Sequence, residues 1–270
     1  MNIAVTGSNG YLGKYICDQF LKDGHQVIKF QKKAIDKDSV KYDLREEPNY
    51  NFENTDVFIH CAYDFNLKTE DQIRKFNIEN SIKIINLAID YGVKNIFFIS
   101  SLSSFPKAQS IYGQSKFKIE ENIKLKNVNI LRPGLLIDEE IGGIVLSIKK
   151  ILNVFPLVLY PNSSKKLFLC EREMVFKVID KIISNKLEIT VPITIANETP
   201  YSMLDFLKFI SSSNKKKFVI FIPAPVKFFL ILFKIIKFFK INLRVNEDNL
   251  ISFINSYQKP DFKLFNDILS

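Results

Sequence analysis

Tyr112 and Lys116 stand four residues apart in Tyr112-Gly113-Gln114-Ser115-Lys116, and Ser101 precedes Tyr112 by eleven residues. In a helix, positions i and i+4 share a face, so a phenol and an ammonium would sit side by side. A free phenol titrates near pH ~10, too high for easy proton exchange at neutral pH. A cation one turn away favours the phenolate and lowers that value. With a serine hydroxyl to hold the reacting oxygen, such a phenol suits proton exchange with a carbonyl during hydride transfer. Hydride transfer needs a nicotinamide, and the start of the chain offers a place for one. Ile3-Ala4-Val5 is a short β-like run, Thr6-Gly7-Ser8-Asn9-Gly10-Tyr11-Leu12-Gly13 follows, and Leu12, Ile16, Phe20 and Leu21 then recur at helical spacing. A strand, a glycine turn and a helix in that order make a phosphate cradle. Gly7 permits the sharp turn, Gly10 lets backbone approach a pyrophosphate, and Gly13 lets the helix pack on the strand. The helix start adds unpaired N–H groups and partial positive charge.

These groups need a scaffold, and the chain supplies one in order. Residues 26–30 read as a second strand, and the residue just past it would meet the adenosine ribose. An acid there binds the 2′-hydroxyl of NAD, whereas a cation accommodates the 2′-phosphate of NADP. Gln31, Lys32 and Lys33 occupy the corner, so NADP is preferred, with NAD the alternative. Residues 41–44 form a short strand end, and residues 56–62 form a buried parallel strand by their continuous apolar run. His60 in that run is weighed as a satisfied packing residue rather than a catalyst. Residues 77–91 read as a helix, and residues 95–99 as a core strand that delivers Ser100-Ser101 at its C-terminal edge. Ligands of open α/β sheets bind at that edge. A helix opens at Tyr112 and runs through Glu120, and residues 129–131 form a strand closed by Arg132-Pro133-Gly134.

In this order and at these intervals, Thr-Gly-x-x-Gly-x-x-Gly, Asp43-Leu44, His60-x-Ala62, Ser100-Ser101, Tyr-x-x-x-Lys and Arg-Pro-Gly resemble the extended short-chain dehydrogenase/reductases. Within them they resemble the NAD-dependent epimerase/dehydratase branch, which mostly handles nucleotide sugars. The resemblance is strong over residues 1–134 and weaker through 166–173 and 190–202. It implies a Rossmann-type doubly wound parallel α/β sheet over 1–134, its last strand returning at 190–196. A smaller C-terminal lobe, mainly 135–270, would bind substrate. It assigns the cofactor to Gly7, Asn9, Gly10, Tyr11, Leu12, Gly13, Gln31, Lys32, Lys33, Asp43, Leu44, Cys61, Ala62 and Pro133, with Tyr112 and Lys116 reaching the nicotinamide end. Catalysis falls to Ser101, Tyr112 and Lys116, and substrate contacts to Tyr63, Ser103, Lys165, Lys166 and Arg172. The family's dehydratases carry an acidic pair after the serine position, where this chain has Leu102 and Ser103, so dehydration is disfavoured. Reduction of a keto-sugar nucleotide in surface polysaccharide synthesis is the leading expectation. Epimerisation, or a non-catalytic cofactor-binding subunit of the same fold, are the alternatives.

Composition sets the outer bounds. A chain of 270 residues has room for one large domain or two modest ones. It runs from Met1 directly into a strand, so no signal peptide is expected and a cytoplasmic protein is. Three scattered cysteines without a Cys-x-x-Cys or histidine spacing argue against disulfides and zinc, and no metal is expected. The net charge of +9 comes from scattered lysines with few arginines, which argues against base readout of nucleic acid. Beyond Pro223 and Pro225, residues 226–240 are almost all Phe, Leu and Ile, broken by Lys227, Lys234, Lys237 and Lys240. The lysines cut the run short of the ~20 apolar residues of a spanning helix. A helix with so wide an apolar face must be covered by lipid at the inner membrane face, by its own lobe or by a second copy in a homodimer. Packing is slightly favoured over lipid.

Overall fold

A computed structural model of the chain describes residues 1–34, 37–67, 69–123, 128–138, 142–212, 219–238 and 246–270. The first half alternates strands and helices: β1 (Asn2–Thr6), α1 (Tyr11–Lys22), β2 (Gln26–Gln31), β3 (Ser39–Lys41) and β4 (Val57–His60). A continuous helical passage follows as α2 (Glu70–Gln72), a π-helical stretch (Ile73–Glu79) and α3 (Asn80–Asp90), then β5 (Asn95–Ile99), α4 (Ile111–Ile123) and β6 (Val128–Pro133). The expected helix over 77–91 thus begins earlier, at the Thr69 cap, and its first part is wound wider than an α-helix. The second half holds β7 (Leu135–Leu136), α5 (Gly143–Val154), β8 (Leu157–Asn162), β9 (Leu169–Cys170), α6 (Arg172–Ser184), β10 (Ile193–Ile195) and α7 (Met203–Ser212). The chain closes with β11 (Ile220–Pro225), α8 (Val226–Phe238), α9 (Glu247–Ile254) and α10 (Lys263–Leu269). Positions 239 and 240 of the lysine-broken apolar run lie outside the described residues.

Seven strands form one sheet in the order β10-β6-β5-β4-β1-β2-β3, every pairing parallel. This is the doubly wound Rossmann arrangement, with the order reversing beside β1, where such sheets bind ligands. Alternation along β1 divides the core in two. Ile3 and Val5 pack with Ile16 and Phe20 of α1 and Val175 of α6, whereas Ala4 packs with Ile84 and Ile85 of α3 and Ile119 of α4. The second half is not one separate body. Phe265 and Ile268 of α10 join the same cluster as β1 and α6, so α6, β10 and α10 belong to the sheet. The lobe proper has its own cluster, in which Val145 and Leu152 of α5 meet Phe206 and Ile210 of α7. A second, two-stranded sheet pairs β11 with β8 in parallel, and β7 pairs with β9.

Candidate active site

The glycine loop is held by contacts that leave no room for side chains. Gly7 has φ +67°, and a Cβ there would lie 2.9 Å from the Ala62 nitrogen. The Gly10 N–H donates to the Gly7 carbonyl at 2.8 Å. A Cβ on Gly13 would stand 2.3 Å from the same carbonyl oxygen, so α1 can seat against the turn only with glycine there. Among the described residues no side chain caps the N-terminus of α1, and its first turn holds no acid. That suits a phosphate, because an acid or a cap would compete for the same N–H groups. Leu12 is buried and Asn9 exposed. Cys61 and Ala62 follow β4 directly, their N–H groups reaching Thr6 Oγ1 at 3.1 and 3.3 Å.

Tyr11 points elsewhere. Its hydroxyl donates to Asp138 at 2.9 Å, and the Arg172 guanidinium stacks 4.2 Å from its ring centroid and 4.8 Å from that of Tyr15. Burial first, then Asp138, pushes the Tyr11 phenol up. Arg172 also binds Asp138 through Nε. Arg172, expected as a substrate contact, opens α6 and packs against α1. Bonds to Asp138 and two aromatic faces hold its guanidinium, because a half-buried cation needs such partners.

The corner after β2 is more charged than its own residues suggest. Gln31 is buried inside β2 rather than just beyond it, and Lys33 is exposed. Lys32 lies 3.7 Å from Asp43 and 3.4 Å from Asp64, and Arg45 joins Asp64 at 2.9 Å. Burial raises the Asp64 carboxyl, but the Asn66 N–H, Lys32 and Arg45 outweigh it and hold Asp64 below the usual carboxylate range. Leu44 is buried, its carbonyl accepting from Asn80 at 2.8 Å. Arg45 is a cation that reading the strand end alone did not single out.

Ser101, Tyr112 and Lys116 come together at the C-terminal edge of β5. Lys116 is buried, donates to the Ile99 carbonyl at 2.7 Å, and lies 4.7 Å from the Phe98 ring centroid and 5.9 Å from that of Tyr112. Burial pushes its ammonium down to about 8. The Tyr112 phenol is pushed up, by burial first and by Tyr63 second, and the Ser101 hydroxyl is the neighbour that opposes this. The expected lowering of Tyr112 by Lys116 is not found: desolvation disfavours the phenolate, and the opposing pull comes from Ser101. Tyr63 and Phe65 pack on Tyr112 with centroids 5.0 and 5.6 Å away. Tyr63, expected as a substrate contact, therefore lies against the phenol. His60 is the packing residue expected: it bridges Thr6 and Ser81 at 2.8 and 2.9 Å, and burial pushes it down to about 3.

Two further groups tie this edge to distant parts of the chain. Glu120 is buried, accepts from Ser100 and pairs with Arg132 of the Arg-Pro-Gly corner. Asp248 of α9 accepts the N–H groups of Ile111 and Tyr112 at 2.6 and 3.2 Å, capping the helix that carries Tyr112 and Lys116. α9 also reaches the loop before α4 through Ser252, whose hydroxyl meets that of Ser103 at 2.8 Å. Ser103, expected to face substrate, is closed off by that contact. Pro133 is buried, and its carbonyl accepts the Leu102 N–H at 2.9 Å. Lys165 and Lys166 are exposed in the loop after β8, the Lys166 backbone being tied to Gln258 at 2.8 Å. No contact joins either lysine to Ser101, Tyr112 or Lys116 among the described residues.

Comparison with known proteins agrees with this geometry. Residues 3–129 match the NAD dependent epimerase/dehydratase family. The chain is 26% identical over 110 residues to a dTDP-6-deoxy-L-talose 4-dehydrogenase (NAD(+)) of Aggregatibacter actinomycetemcomitans, covering 36% of this chain and 40% of that protein. It is 27% identical over 154 residues to a putative UDP-glucose 4-epimerase of Methanocaldococcus jannaschii, covering 46% and 50%. The chain thus spans half or less of the length of these relatives. A dTDP-4-dehydrorhamnose reductase from Clostridium acetobutylicum shares the fold at TM-score 0.69 and 21% identity over 85% of each chain. With its glycine cradle, seven-stranded parallel order and matched segment, the first half of the chain is similar to the NAD dependent epimerase/dehydratase family.

Proposed function

We propose that this chain is an NAD(P)-dependent oxidoreductase of nucleotide sugars, reducing a keto group on the hexose ring for surface polysaccharide synthesis in the cytoplasm. The observation that carries the reading is the convergence of Ser101, Lys116 and a phenol that stays protonated. A bound nicotinamide would supply the hydride. Tyr112 would give its proton to the carbonyl oxygen, Ser101 would hold that oxygen beside the phenol, and the Lys116 ammonium would stabilise the phenolate left behind. Tyr63 and Phe65 would screen the phenol from water. The names of two curated relatives, a 4-dehydrogenase and a putative 4-epimerase, support position 4 of the sugar. NADPH is preferred over NADH, supported by Lys32, Lys33 and Arg45 at the ribose corner, although Asp43 and Asp64 compete for two of these cations.

The test is NADPH oxidation by the purified chain in the presence of a nucleoside-diphosphate 4-keto-6-deoxyhexose. The expected result is turnover that Tyr112→Phe lowers by about 10²–10⁴-fold, with cofactor affinity nearly intact. A Tyr112→Phe variant at the wild-type rate overturns the assignment. Epimerised product with no net oxidation supports the second reading, which the 4-epimerase relative favours.

A further inference from the structure

We infer that α8 and the β8–β11 strand pair form a docking surface for an anionic phospholipid bilayer, a role that goes beyond the reaction above. Phe228, Ile231, Leu232 and Ile235 recur at i, i+3, i+4 and i+7 of α8, and all four are exposed, by 38 to 59%. That spacing makes one stripe along the helix. The lobe does not cover it, so this part of the packing expectation is corrected. The strands beside it repeat the pattern. Leu157 and Leu159 of β8 are registered with Ile220 and Ile222 of β11, and all four are 39 to 50% exposed. Alternate residues share one face of a sheet, so these four make an apolar face on the strand pair. β11 runs directly into α8, and the two elements touch. Soluble surfaces rarely expose so much contiguous apolar area without a partner.

The charge pattern selects that partner. Between Phe206 and Asn246 the sequence holds nine Lys and Arg residues and no Asp or Glu. That matches the formal excess of +9 for the whole chain, so the rest of the molecule balances to zero. The stretch from Gly142 to Cys170, which contains β8, adds four lysines and again no acid. Lys227 and Lys234 are exposed on α8 itself, flanking its apolar stripe. A second copy would be a poor occupant, because a two-fold interface sets a patch against itself and would oppose these lysines to one another. An anionic bilayer supplies both halves of the match, acyl chains for the apolar stripe and phosphates for the lysines. The described part of α8 has 13 residues, against the ~20 needed to span a bilayer. None of the described helices is long and apolar enough to cross a membrane, so α8 would lie in the interface.

The experiment is co-sedimentation of the full chain with vesicles of phosphatidylcholine containing phosphatidylglycerol, beside vesicles of phosphatidylcholine alone. The expected result is binding to the anionic vesicles only, released as salt rises. Ile231→Asn with Ile235→Asn, both at exposed positions, should abolish binding while NADPH titration and thermal unfolding stay as in wild type. Lys227→Gln with Lys234→Gln should weaken binding by roughly tenfold or more. Absence of binding, or equal binding to both vesicles, overturns the proposal. A wild-type dimer in sedimentation velocity that Ile231→Asn with Ile235→Asn dissolves would also overturn it, assigning the face to a second copy.

Discussion

At the scale of single residues, Lys116 carries the greatest tension. Its ammonium is buried among Phe98, Tyr63 and Tyr112 with one backbone carbonyl as hydrogen-bond partner. Burial lowers its pKa from 10.5 to about 8, while Cys61 and Glu120 pull the other way. The unfolded chain therefore holds this proton more tightly than the native one. Native stability from this site is depressed below pH 8 and recovers between pH 8 and 10.5, the window where only the unfolded chain is protonated. Lys116→Met should raise stability at neutral pH by about 1–3 kcal/mol and flatten that pH dependence, while the reductive rate collapses. Urea titrations at pH 7 and pH 9 check the first claim, and a variant less stable than wild type at pH 7 contradicts it. In wild type, the reductive rate should fall as pH rises through about 8, as the ammonium is lost. The pairing of Tyr112 with Lys116 was legible because helical spacing is local. The direction of the Tyr112 shift was not, because Tyr63 and Phe65 arrive from beyond another strand and desolvation depends on them.

At the scale of elements, the helix bearing Tyr112 and Lys116 takes its N-terminal cap from the other end of the chain. The Asp248 carboxylate accepts two N–H groups at the start of α4 and places a negative charge at the positive end of the helix. Asp248→Ala should cost about 1–2 kcal/mol and lower kcat more than it raises KM, since Tyr112 donates one of the freed N–H groups. Steady-state kinetics beside thermal unfolding decide this, and an unchanged kcat would show that the cap serves stability alone. The strands and helices up to residue 134 were readable because apolar runs and glycine stops are local signals. The Asn246-x-x-Asn249 box that starts α9 is local too. What α9 touches is not, and nothing near Ser252 in sequence foretells its contact with Ser103. The wide π-helical winding before α3 likewise escaped a reading based on 3.6-residue periodicity.

At the scale of the whole molecule, the two kinds of binding surface rest on different supports. The glycine cradle is set in the seven-stranded sheet, with buried clusters on both faces, whereas the exposed apolar stripe of α8, β8 and β11 belongs to the second half. A ligand that binds only the native state stabilises it by about 2.7 kcal/mol at a hundredfold excess over Kd. For a chain of this size that corresponds to a rise in Tm of about 5–10 °C. Saturating NADPH should produce such a rise, and NADH at the same concentration a smaller one. Lys32→Ala with Lys33→Ala should reduce the NADPH shift and leave the NADH shift nearly unchanged, because only NADPH carries the 2′-phosphate. Asp43 and Asp64 compete for Lys32, so a double variant that binds both cofactors as wild type does would show that these lysines do not reach the 2′-phosphate. Ile231→Asn with Ile235→Asn should leave both shifts unchanged, since distant and independent sites contribute additively. An NADH shift equal to or larger than that of NADPH would reverse the cofactor preference and return the corner after β2 to an ordinary solvated loop.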